Sequence, residues 1–494
     1  MAQSVESSQP LSAIEWIDQA AKKPPPALVI QEPKVTTGAQ VPDISVAPLD
    51  GQAPKIIGLV PFSITGLATN IWQGANADTL ADALANIPPF QLPAAQSLMF
   101  TLLLAEAHPA RGDSIAFDIA RIDALLKVGA LDPALALIHQ VGASSHPAIA
   151  QRLIDASLLN ETEHQACDLI NSAPHLAPEY SYRIFCAARS GDWDTANLLL
   201  GTARGLNLVS KDQAAVLERF LDPDLFEEEP PLTRPQTPNA LIFRLFEALG
   251  QPISTRPWPI VYANADLRDI MGWKTQIDAA ERLAGTGALP ANLLLGKYSE
   301  RQAAASGGVW DRVAAVQRFE TALKTGNPEA IGKTMPKAWQ QMQNAQLGGP
   351  LADLFVDDLL NIELPTSLHD IAYSMVQSTA HYEHASDTFP NAAARHPFRT
   401  SVAQGHATSS LAKTTIEAAI ARGFQSVQAD PSITSMAENG RLGLAILQTV
   451  TALEAGNQGD LEQLSTALAN LRAIGLEDAA RRAALQILIE QDSP

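Results

Sequence analysis

Between residues 113 and 127 the apolar side chains Ile115, Ile119, Ile122 and Leu126 recur at i, i+4, i+7 and i+11, with Asp118, Arg121 and Lys127 off that line. This spacing predicts one amphipathic helix with a single buried stripe. Gly129 follows where a left-handed residue would end the helix, Asp132 stands where a cap would start the next one, and Pro133 suits a first turn. The segment therefore reads as a tight helical hairpin. The same punctuation returns at Gly191 with Asp192, at Gly326 with Asn327 and Pro328, and at Gly456 with Asp460. Further long helices are expected over 310–325 and 442–455, and the most apolar stretch, 98–105, reads as a buried helix between Gln96 and Glu106.

Recurrence of one turn device along a chain is the pattern of a helical array. The expected fold is all-α, a degenerate helical-hairpin repeat array (α-solenoid) in two lobes. The lobes are placed at 56–222 and 240–494, separated by an acidic, Pro-rich linker at 223–239 with Glu227, Glu228, Glu229, Pro230, Pro231, Pro235 and Pro238. Residues 1–55 hold Pro24, Pro25, Pro26, Pro33, Pro42, Pro48 and Pro54 and few large apolar groups, and are expected to be a disordered tether. Within that tether Leu11, Ile14, Trp16 and Ile17 stand at helical spacing ahead of Lys22 and Lys23, a candidate docking helix.

Composition narrows the functional classes. Hydrophobic residues make up 46% of the 494 residues but aromatics only 5%, an Ala- and Leu-rich balance that suits helix packing rather than sheets. The net charge of -19 repels phosphate backbones and anionic lipid heads, so neither nucleic acid nor a membrane surface is an expected partner. No apolar run is long enough to span a bilayer. The N-terminus lacks a basic segment followed by an apolar one, yet Met1, Ala2, Gln3 and the Ser-rich residues after them are what would remain if a start methionine had replaced a removed export signal.

Two cysteines exist, Cys167 and Cys186, on consecutive predicted helices. They stand nine and ten residues from a loop centre near residue 176, so on antiparallel helices they lie at similar height and a disulfide is expected. With no CxxC, a catalytic thiol is not. His381-Tyr382-Glu383-His384 puts two imidazoles at i and i+3, near His396 and His406. Without HExxH spacing or a Cys ligand this reads as solvated histidines, and no metal or cofactor is expected. Ser410-Leu411-Ala412-Lys413 and Lys324-Thr325-Gly326 match two motifs of penicillin-binding enzymes, but in reversed order and on helices; both read as coincidence. Gly285-Thr286-Gly287 follows a helix rather than a strand and is no dinucleotide loop.

Two resemblances add to this. Gly191-Asp192-Trp193-Asp194-Thr195-Ala196 resembles the inter-helix turn of tetratricopeptide repeats, and Gly129, Asp132 and Ala134 match it in part. That resemblance implies an aromatic packed beneath the turn and a small Ala where helices approach. Spacings of 62 (129 to 191) and 135 (191 to 326) are not multiples of about 34, which makes the array irregular. The stretch 58–72, from Gly58-Leu59-Val60-Pro61 to Trp72, and Ala305-Ser306-Gly307-Gly308-Val309-Trp310-Asp311 resemble segments of an uncharacterised bacterial envelope protein family, which implies an exported precursor.

The sequence thus reads as a non-catalytic binding or scaffold protein of the bacterial envelope, in the periplasm, whose solenoid surfaces hold a protein or peptide partner. The rival readings are a cell-wall-associated hydrolase, or its non-catalytic superhelical part, and a cytoplasmic assembly factor or chaperone. Soluble lytic transglycosylases add a lysozyme-like domain with a Glu-Ser pair to such a superhelix; beyond the tether no Glu-Ser pair occurs, because Ser299 precedes Glu300.

Overall fold

The computed structural model describes residues 55–491 apart from Glu227, Pro238 and Ser426. Leu11, Ile14, Trp16, Ile17 and the rest of the expected tether before Lys55 lie outside the described residues. The described residues form one compact unit. Among the described residues it contains 26 α-helices, short 3-10 turns and three isolated β-bridges, but no strand. Most consecutive helices pack against one another, which makes the fold an all-α helical-hairpin array.

Several hairpins form where the turn residues sit. Gly191 (φ 83°) and Gly326 (φ 61°) take the left-handed conformation, the Asp192 side chain accepts from the Thr195 N–H, and Asn327 accepts from Glu329 and Ala330. Two other turns differ from expectation. The Leu131–Val141 helix begins before Asp132, so Asp132 lies in its first turn and caps nothing. Gly456 lies inside the Leu442–Asn457 helix, where a Cβ would meet the Leu464 backbone at 2.7 Å, and the left-handed turn falls to Gly459 (φ 112°). A glycine that permits close helix approach and one that ends a helix look alike in sequence. Ala196 is fully buried at its hairpin, but Trp193 is 47% exposed, its ring 6.2 Å from that of Phe220 rather than sealed beneath the turn.

The buried face of Ser114–Lys127 also departs from the amphipathic reading. Asp118 and Arg121, expected to face solvent, are 6% and 1% exposed, while Ile115 and Ile119 are only partly buried. The cause is the segment 57–60, which runs beside residues 104–107 in short backbone pairings and covers this helix. Carbonyls of both stretches need donors, and Arg121 supplies them: Nη1 donates to Ile57 O at 3.2 Å, Nη2 to Leu103 O at 2.7 Å and Ala105 O at 3.2 Å, and Nε to Leu103 O at 3.2 Å.

Two large apolar cores result. One combines residues within 67–265 with residues within 382–488; the other spans 273–393 and takes in Ile489. The stretch 223–239 does not divide them. Beyond it, Ala240–Ala248 places Leu241, Phe243, Leu245 and Phe246 in the first core, and Arg268 pairs with Glu161 at 3.0 Å across the stretch. The ends of the array also meet. Gly443 N–H donates to Ile71 O at 3.0 Å, Gly74 N–H to Gly440 O at 2.9 Å, and the last helix, Glu477–Gln491, packs on Pro93–Leu104. An open array leaves the apolar faces of its terminal helices uncovered; here the last helices cover the first.

Cys167 on Glu163–Ser172 and Cys186 on Tyr180–Arg189 stand at disulfide distance, with sulfurs 2.06 Å and Cα atoms 4.9 Å apart. Both are buried in the first core. A bond there restricts the unfolded chain by about 3 kcal/mol in the loop-entropy model.

Candidate functional site

Where the two ends of the array meet, helices from four parts of the chain leave a cleft of about 430 Å³ lined by both apolar and polar side chains. Pro93, at the first position of its helix, and Ser97, Phe100 and Thr101 form one wall. Gly349, Pro350 and Asp353 of the Gly348–Asn361 helix form another, and Arg482 and Gln486 of the last helix line the cleft as well. An adjoining recess of about 420 Å³ shares Gln91, Pro93 and Gln486 and adds Trp339, Gln340, Asn344 and Glu490.

Carboxamides lock these walls together. The Gln96 amide donates to Phe90 O at 2.8 Å and Gly285 O at 2.9 Å, tying Pro93–Leu104 to the end of Trp273–Gly285. Gln486, 5% exposed, accepts from Ala94 N–H at 2.8 Å and donates to Ser378 O at 3.0 Å. The backbone N–H of Gln91 donates to the fully buried Glu454 at 3.2 Å. The cleft is therefore preformed by hydrogen bonds between residues hundreds of positions apart.

Its electrostatics are uneven. Asp353 is open to the cleft yet surrounded by protein, and this desolvation raises its carboxyl above the ordinary range, with Arg482 and His381 opposing the shift. Desolvation likewise raises Glu490, reinforced by repulsion from Glu454. Arg482 is half-buried, and its Nε is buried without a hydrogen-bond partner. Behind Phe100 and Gln96, which line both spaces, lies an apolar pocket of about 240 Å³ with Phe90, Met99, Val128 and Ile260. Together the cleft and its recess offer amide and hydroxyl donors and acceptors, two aromatic faces, one cation in Arg482 and two carboxyl groups in Asp353 and Glu490.

The sequence-derived candidates lie mostly elsewhere. Cys167 and Cys186 are not part of the cleft lining. His381 and His384 have ring centroids 6.3 Å apart, Glu383 between them pairs with Arg481 at 3.0 Å, and among the described residues no three potential ligands cluster. Ser410 lies in the short turn Ser409–Leu411, and Lys324 pairs with Glu320 on its own helix at 2.6 Å. Gly285 and Gly287 do border the cleft. Asp353, Arg482, Gln96 and Gln486 were not singled out from sequence, though Gln486 left a signal as the polar residue within the apolar run Ala483-Ala484-Leu485-Gln486-Ile487-Leu488-Ile489.

A smaller recess of about 210 Å³ holds Asp155, Tyr182 and Tyr262. Tyr182 donates to Asp155 Oδ1 at 2.6 Å, and burial pushes the Asp155 carboxyl up to about 6 from its ordinary 3.8, against that hydrogen bond and the charge of Arg152. With the folded pKa above the unfolded one, the folded state takes up a proton between about pH 6 and pH 4 that the unfolded chain does not. Ionised Asp155 thus costs stability above pH 6, and the cost disappears as pH falls through that window. Asp155→Asn should stabilise the protein at pH 8 by about 1–2 kcal/mol and add little at pH 4.5, as read from urea melts at both values. An equal loss at both would show that the carboxylate serves mainly as a hydrogen-bond acceptor.

No protein-family model, curated protein or solved structure matches this chain.

Proposed function

We propose that this chain is a non-catalytic binding protein that holds an extended peptide segment of a partner in the cleft where its ends meet. The observation that carries this reading is the lining itself: the side-chain carboxamides of Gln91, Gln340, Asn344 and Gln346 and the hydroxyl of Ser97, on walls that Gln96 and Gln486 lock in place, with Phe100 and Trp339 beside them. An extended peptide presents alternating N–H and C=O groups, and a carboxamide both donates and accepts, so such walls suit main-chain recognition. Helical arrays characteristically bind on the surfaces that their stacked helices enclose. The resemblance to tetratricopeptide turns supports a scaffold role, and the resemblance to envelope proteins supports export. The buried pair Cys167 and Cys186 supports an oxidising compartment such as the bacterial periplasm.

Isothermal titration of the full chain with Nα-acetylated tetrapeptide mixtures should give saturable binding in the micromolar range, the usual strength of a small preformed site. Absence of binding, or saturable binding of chito-oligosaccharides in its place, would remove the peptide reading. Fractionation addresses the compartment: cytosolic protein with free thiols at residues 167 and 186 would overturn export.

A further inference from the structure

Resting on the peptide reading above, we infer that Arg482 anchors a carboxylate and that the cleft takes the free C-terminus of a peptide. The two adjacent arginines of the last helix are unlike. Arg481 is saturated, by Glu477 at 3.0 Å, Glu383 at 3.0 Å and the Ala403 carbonyl at 3.4 Å. Arg482 lines the cleft, and among the described residues no hydrogen-bond acceptor engages its guanidinium and no carboxylate lies within 4 Å of it. A guanidinium carries five donors in a planar fork, the geometry that matches a carboxylate in bidentate fashion. Asp353, which could have closed an ion pair, stands near enough to feel the Arg482 charge but does not pair with it. The cleft therefore keeps two separate poles.

A peptide C-terminus satisfies both. Its carboxylate meets Arg482, and Asp353 accepts from the amide N–H groups that immediately precede it. The apolar wall of Ile64, Phe100, Leu104 and Leu289 receives the last side chain. A free dicarboxylate fits less well, because its second charge would face Asp353, and the volume of about 430 Å³ is in the range of sites that enclose ligands of a few residues.

The test compares, on the full chain, Nα-acetylated tetrapeptides ending in leucine or phenylalanine as free acids and as C-terminal amides, together with amides whose last residue is glutamate. The free acids should bind about tenfold or more tightly than either amide, a charge-assisted contact being at stake. That preference should weaken with added salt, vanish in Arg482→Gln, and survive in part in Arg482→Lys. Equal binding of acids and apolar amides by the wild type would overturn the carboxylate anchor while leaving peptide binding intact. Equal binding of acids and glutamate amides would overturn the C-terminus, since a side-chain carboxylate would then suffice. Binding of no peptide would defeat both the inference and the reading beneath it. The acid-to-amide contrast uses wild-type protein and stays decisive even if a variant fails to fold.

Discussion

Arg121→Leu is expected to destabilise the protein by about 3–5 kcal/mol, seen as a lower urea midpoint at unchanged slope. Arg121 is fully enclosed and remains charged at neutral pH although burial lowers its pKa to about 10, with Asp118 opposing the shift. Leucine would fill part of the volume but leave the carbonyls of Ile57, Leu103 and Ala105 without these donors, and Asp118 without its neighbouring charge. The second consequence has a sign. Burial already raises Asp118 to about 6, Arg121 and Lys55 holding it down; without Arg121 it rises further. Ionised Asp118 then costs more, and protonation below its folded pKa relieves that cost, so the deficit should be smaller at pH 5 than at pH 8. Arg121→Lys should fall between, keeping the charge and losing the fork. A loss under about 1 kcal/mol at pH 8 would mean that packing and the backbone pairings with residues 104–107 hold segment 57–60 without the guanidinium.

At Gly443 two principles oppose each other. Alanine in place of glycine within a helix ordinarily adds about 0.5–1 kcal/mol of stability. Here a Cβ would stand 2.1 Å from Cζ3 and 2.3 Å from Cε3 of Trp72. Trp72 is fully buried, its ring 5.0 Å from Phe117, and its indole N–H makes no hydrogen bond, so packing alone places it. Neither the ring nor the backbone joined to Ile71 has room to retreat, and overpacking of this kind costs about 1–3 kcal/mol or more. Gly443→Ala should therefore destabilise by roughly 2 kcal/mol or more, the close contact outweighing the propensity gain. Gly201→Ala, inside Trp193–Gly205 with open space around it, is the matched control and should stabilise. If both alanines stabilised, the contact between residues 71–74 and 440–443 would be looser than described.

What the sequence by itself determined is local. Helix after helix was legible because 3.6-residue periodicity and turn chemistry act within a few residues, as at Asp192, Asn327 and Asp460, each of which caps the helix that follows it. The approach of Cys167 to Cys186 was legible for the same reason: one short loop sets their relative height. What only the tertiary structure decided is how alike helix faces pair. Ala- and Leu-rich stripes are apolar without being directional, so nothing in them says that Gly443 receives Trp72 or that the last helix lies on Pro93–Leu104. Burial of Asp118 and Arg121 depended on a segment some 60 residues away. The candidate cleft followed from the same closure. Asp353 and Arg482 are ordinary helix-surface residues until residues near 93, 350 and 482 are brought together, and hydrophobic attraction, proportional to area and blind to partner, leaves that choice to the summed fit of the whole fold.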